Sequence, residues 1–191
     1  MSLPNTIIGR IPYPGYSTKD QSGYSSPLDE MVNNKTVKFG GNNLIRTLSK
    51  TWKSNTLTKV PSIYVYLFPH PVDISKMENI PFYEAIWDTG NHTTGISRNT
   101  ARRLHLLPTG RKAEVKDASG NRYMVDTYNV AIYFDDNFYT TVEVRELLMD
   151  EFDVLIGMDI IQQGDFAITN SDGRTTISFR VPSQTVIDFE K

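Results

Sequence analysis

An all-β, barrel-like fold is predicted by three features of the sequence. Short runs rich in β-branched and aromatic residues recur from Lys59 onward, the breaks between them carry Gly, Asn, Asp and Ser, and helical periodicity is confined to brief stretches. Val60 to Phe68 is the first such run. Phe82 to Trp87 is the second and leads straight into a polar turn. Tyr128 to Phe134 and Phe138 to Val144 read as a hairpin around Asp135-Asp136-Asn137. Phe166 to Thr169 and Thr175 to Val181 flank Asn170-Ser171-Asp172-Gly173, a strong hairpin turn signal. Two helical pieces are expected in this half. Ser97 to Leu106 has Ser97 as its cap and Ala101, Leu104 and His105 at the core edge, and Met158 to Gln163 follows a glycine.

The chain divides near Lys59. At 191 residues it is long enough for one well-cored domain with extensions and short for two, and a hydrophobic fraction of 39% places part of the length outside a core. Residues 1–58 are read as an N-terminal arm, and 59–191 as the domain. The first part of the arm is rich in Ser, Gly, Asn, Pro and Tyr and reads as irregular. Leu44, Ile45, Leu48 and Trp52 fall on one helical face, so a short amphipathic helix is expected over 43–53.

Charge is uneven although the net value is only −2. Lys35, Lys38, Arg46, Lys50, Lys53 and Lys59 form a basic stretch without acids, whereas Asp135 to Asp153 carries seven acids against Arg145 alone. Solvated faces are one reading, and docking of the basic arm on the acidic edge is the other. There is no cysteine, which excludes a disulfide framework and a thiolate zinc site. His70, His92 and His105 lack metal-ligand spacing, so neither metal nor cofactor is expected. The start Met1-Ser2-Leu3-Pro4-Asn5 does not read as a signal peptide, and no apolar run is long enough to span a bilayer. A cytoplasmic protein without membrane contact is expected.

The chemistry-bearing motif is Asp88-Thr89-Gly90, launched from the apolar run Ala85-Ile86-Trp87 and occurring once in the chain. Its companion is Leu155-Ile156-Gly157-Met158-Asp159, where an apolar strand passes through a glycine into a helical pattern. Asp159, near that helix start, is expected to bond backbone amides and order the turn. Between the motifs, Val115 to Tyr123 reads as two strand ends joined by the small tip Ala118-Ser119-Gly120.

In this order, from Lys59 to Pro182, these features resemble the retropepsin-like aspartic proteases, and most closely their bacterial and phage-like members. The resemblance implies one acid-protease lobe per chain, with Asp88 as catalytic carboxylate and Thr89 and Gly90 as its support. It places Asn91, Ala118, Ser119, Gly120 and Ile156 at the substrate and flap surfaces. Aspartic endopeptidases need two carboxylates, so a single Asp88 implies a homodimer acting on a protein or peptide substrate. Two positions depart from the family pattern. Asn91 stands where a small residue is usual, and Trp87 where an aliphatic one is usual. Two other classes stay open, a retropepsin-fold peptide-binding or dimerisation module without catalysis and a nucleic-acid-associated protein using the 35–59 stretch. Intact Asp-Thr-Gly argues against the first, and the acidic balance against the second.

Overall fold

The computed structural model describes residues 37–39, 47–71, 81–117, 119–135, 138–148 and 151–190. The irregular first part of the arm, the beginning of the expected 43–53 helix and Ala118 lie outside the described residues.

Eleven strands and two short helices are described: β1 (Val37–Phe39), β2 (Leu48–Lys53), β3 (Ser62–Pro69), β4 (Phe82–Trp87), β5 (Gly95–Ser97), α1 (Arg98–Arg103), β6 (Lys112–Lys116), β7 (Arg122–Asp135), β8 (Phe138–Leu147), β9 (Val154–Ile156), α2 (Met158–Ile161), β10 (Asp165–Ser171) and β11 (Arg174–Val181). The fold is all-β, as the sequence predicts. Pairing runs β8-β5-β9-β4-β3-β7 and returns from β7 to β8, closing a six-stranded ring. Closure removes sheet edges, which is how a small β fold avoids unpaired backbone. β1 lies parallel on the outside of β8, and β6 extends the ring from β7.

The strands alternate because one side of each faces the core. β3 buries Ile63, Val65 and Leu67 and leaves Tyr64 out. β4 breaks this alternation at its end, where Ala85, Ile86 and Trp87 are all buried. It runs between β3 and β9, pairing antiparallel with the former and parallel with the latter, and such central strands read as continuous apolar runs.

A second, three-stranded sheet has the order β10-β11-β2. Leu48–Lys53 is therefore a strand where the sequence led to a helix over 43–53. The reason is a coincidence of periods: Leu48 and Trp52 share a face at helical spacing and equally at strand spacing. Pairing with Thr176–Val181 of β11 decides between them. Trp52 then packs near Trp87 (ring centroids 6.1 Å apart), and Phe166 and Phe179 approach Trp87 at 4.7 and 5.0 Å. Trp87 also stacks on Phe134 of the ring. This aromatic cluster fastens the second sheet to the barrel.

The charge asymmetry resolves into specific pairs. Lys50 bridges Asp135 at 3.3 Å, so part of the arm does sit on the acidic hairpin within one subunit. Glu146 and Asp153 pair instead with Arg98 and Arg103. The Asp165 carboxyl is pulled down to about 2 by the Ser183 hydroxyl, the Gln184 amide and Arg180, which ties β10 to the chain beyond β11. α1 is capped by Ser97, whose hydroxyl accepts from the Thr100 amide. Leu104 and Leu106 pack on the core, but His105 does not. It is exposed and left-handed (φ 50°), ending the helix instead of lining the core edge. Among the described residues no helix is long and apolar enough to cross a membrane, and no group of three or more His, Asp or Glu is placed to hold a metal.

Candidate active site

Asp88 follows directly from the buried end of β4. Its amide donates to the Ile156 carbonyl at 2.9 Å, continuing the β4–β9 pairing by one residue. Asp88 is half-buried, while Thr89 and Gly90 are exposed. Two donors fix the carboxylate from opposite sides. The Gly90 amide donates to Oδ1 at 2.8 Å, and the Asn91 side-chain amide donates to Oδ2 at 2.7 Å. Held at both oxygens, the Asp88 carboxyl group has a defined orientation.

The loop from Asp88 to Thr94 is laced to the β9–α2 segment. Met158 N donates to Asn91 O at 2.8 Å and Asp159 N to His92 O at 3.1 Å. In the other direction, the Asp159 carboxylate accepts from the Thr94 amide at 2.9 Å and the Thr94 hydroxyl at 2.6 Å. It also accepts from the Ile160 amide at the start of α2. Thr94 is fully buried, and its hydroxyl accepts in turn from the Gly157 amide at 3.0 Å. Asp159 thus orders the turn as the sequence suggested, and its main partner is a residue the sequence did not single out. Gly157 is required here: a Cβ on it would stand 2.6 Å from the Thr93 carbonyl carbon and 2.9 Å from Thr94 N.

Trp87 and Ile156 are both core residues. The Trp87 ring lies in the aromatic cluster and is 3% exposed, so the departure from an aliphatic residue there changes the core rather than the surface around Asp88. Ile156, expected at the substrate surface, is fully buried, and its contribution to the loop is the carbonyl that receives the Asp88 amide. Asn91 is half-buried, between Asp88 and Arg145. Arg145 escaped sequence reading because it appeared only as the lone base of an acidic run.

The expected hairpin between the motifs is present as β6 paired with the start of β7 over five residue pairs. At its tip the Asp117 carboxylate accepts from the Asn121 backbone and side-chain amides and from the Tyr123 hydroxyl. These bonds, led by the Asn121 side chain, hold the Asp117 carboxyl below its usual range. Ser119 and Gly120 are exposed, and Gly120 takes φ +90°, a conformation open to glycine. An open groove beside α1, lined by Arg98, Arg102, His105, Tyr128 and Glu146, includes no residue of the Asp88 loop.

Among solved structures the chain is similar to retropepsin-like aspartic proteases. A retropepsin-like aspartic protease from Rickettsia conorii is 13% identical, with 73% of this chain and 99% of that chain covered and a TM-score of 0.43. EIAV protease complexed with the inhibitor HBY-793 is 19% identical (57% and 91% covered, TM-score 0.41). The retroviral protease-like domain of Ddi1 from Leishmania major is 15% identical (64% and 94% covered, TM-score 0.34). No family model and no curated protein matches the chain.

Proposed function

We propose that two copies of this chain form an aspartic endopeptidase. The observation that carries this reading is the Asp88 carboxylate, fixed at both oxygens at the end of a buried strand and flanked by the exposed Thr89-Gly90. Across a two-fold axis, the carboxyl groups of two Asp88 residues share one proton, because two like charges so close do not both ionise comfortably. The ionised member takes a proton from water while the protonated member polarises the scissile carbonyl. The water oxygen bonds to the carbonyl carbon, the C–N bond then breaks, and the proton taken from water passes to the leaving amine nitrogen. The titration belongs to the pair and not to either residue. Thr89 supports the assembly from its exposed position. Its hydroxyl makes no hydrogen bond among the described residues and is free to reach the partner loop. Gly90 lets the two loops approach, Asn91 borders the peptide, and Ala118, Ser119 and Gly120 cover it.

The edge of β10 supports a two-chain reading. Among the described residues it is an outer strand of its sheet, its seven pairs with β11 run without a bulge, and it contains neither Lys nor Pro. Edges of monomeric proteins are usually protected by such devices, and an unprotected one suits pairing with a second copy. Peptide-library cleavage by the wild type and by Asp88→Asn, with native mass determination of both, tests the proposal. A dimer that cleaves, and whose activity falls at least about a thousandfold on substitution, is expected. A strict monomer, or equal cleavage by both proteins, would overturn it.

A further inference from the structure

Asn91 is one of the two positions at which this chain departs from the pattern around Asp88, and the structure gives that departure a purpose. Its amide has two ends. Nδ2 donates to Asp88 Oδ2 at 2.7 Å, and Oδ1 accepts from a terminal nitrogen of the Arg145 guanidinium. Arg145 comes from β8, far along the chain, and its own amide donates to the Thr94 carbonyl at 3.2 Å. It is therefore anchored to the same loop by backbone and by side chain.

The chemistry of the three groups allows one arrangement. A guanidinium can only donate and a carboxylate can only accept, whereas an amide does one at each end. Turning the Asn91 amide over would set its oxygen against the carboxylate and its NH₂ against the guanidinium, with repulsion on both sides. Asp88 and Arg145 thus demand the same amide orientation, the one that presents a donor to Asp88, and Arg145 reinforces it from the far end. No ion pair joins Arg145 to Asp88 among the described residues, so the cation acts through the amide.

The geometry points to Arg145 and Asn91 as a pair of positioning residues: Arg145 braces the Asn91 amide, and that amide holds Oδ2 of Asp88 in place for reaction. The inference rests on Asp88 being the reacting carboxylate, and its consequence is specific. Arg145 reaches Asp88 only through Asn91, so its loss in a chain that already lacks Asn91 costs nothing further, and the two effects on turnover do not add.

Steady-state cleavage by the wild type, Asn91→Ala, Arg145→Met and the double variant reads this directly. Each single change is expected to lower kcat about tenfold with KM within about twofold, and the double variant to be no worse than either. Unchanged kcat in Asn91→Ala, or losses that multiply in the double variant, would overturn the pairing. Should Arg145→Met fail to fold, Arg145→Lys retains a donor for the amide oxygen and is expected to lose less than Asn91→Ala. A loss as large as that of Asn91→Ala would count against the pairing. Hydrogen exchange of the Asn91 side-chain amide, followed by nuclear magnetic resonance, needs no activity. Protection is expected in the wild type and a fall of about tenfold in Asn91 protection in the arginine variant. Unchanged protection would sink the Arg145–Asn91 link even in an active enzyme. A protected amide in a protein that cleaves nothing would retain the link and reject the protease reading instead.

Discussion

The loop after β4 and the tip of the β6–β7 hairpin are both short polar turns, yet they are held in opposite ways. From Asp88 to Thr94 the loop bonds to Ile156, Gly157, Met158, Asp159 and Arg145, residues that arrive from β8, β9 and α2. The hairpin tip bonds to itself: Asp117 receives Asn121 and Tyr123, and the Gly120 amide returns to the Asp117 carbonyl at 3.0 Å. The first turn cannot shift without disturbing several distant elements. The second can move as a unit while keeping its own bonds. A fixed carboxylate and a tip that bonds to itself are the division of labour that the proposed enzyme with a closing cover requires.

Substitution at Gly157 tests the fixed side and has the largest expected effect on stability. The added methyl meets backbone atoms at 2.6 and 2.9 Å, which no side-chain rotation relieves. Gly157→Ala is expected to cost about 3 kcal/mol and to lower the melting temperature by about 10 °C, with loss of activity at assay temperature. An unchanged melting temperature would remove the claim that this loop is braced.

Gly120→Val addresses the other turn. At φ +90° a β-branched residue strains the tip by about 1–2 kcal/mol, so melting should fall by only about 2–8 °C. Turnover should fall about tenfold with native mass unchanged, if the tip closes over substrate. Folding and activity lost together would break the contrast between the two turns.

Acid gives the smallest effect and sharpens the comparison within one molecule. The Asp117 carboxyl lies below its usual value of 3.8, chiefly through the Asn121 side chain. A group depressed in the folded state contributes its stability above the unfolded value and loses it as pH falls through the folded one. The tip should therefore loosen below about pH 4, seen as faster exchange of the Asn121 side-chain amide while the Gly157 amide stays protected. Asp117→Ala should show fast Asn121 exchange at every pH, and a pH-independent wild type would refute the assignment.

Much of the candidate site was legible because its signals are local. A glycine-bearing turn after an apolar run marks Asp88, and Asn170 to Gly173 marks a hairpin whose residues Asp172 and Gly173 indeed take positive φ. Leu48 and Trp52 misled because one pair of positions satisfies two periods. Thr94 and Arg145 were invisible for another reason. A buried threonine that links two loops, and an arginine that braces an amide, have meaning only through partners more than fifty residues away.

By itself, then, the sequence determined the strand-rich character, the hairpin turns and the solitary Asp88-Thr89-Gly90 beside a glycine that has to be one. Backbone preference and apolar periodicity act over a few residues and can be read there. Tertiary structure decided which edges meet: the closure of β7 on β8, the parallel seat of β9 against β4, and the pairing that makes Leu48–Lys53 a strand. It also decided what backs the Asn91 amide: Asp88 and Arg145 fix its direction from its two ends, and only folding brings Arg145 to it.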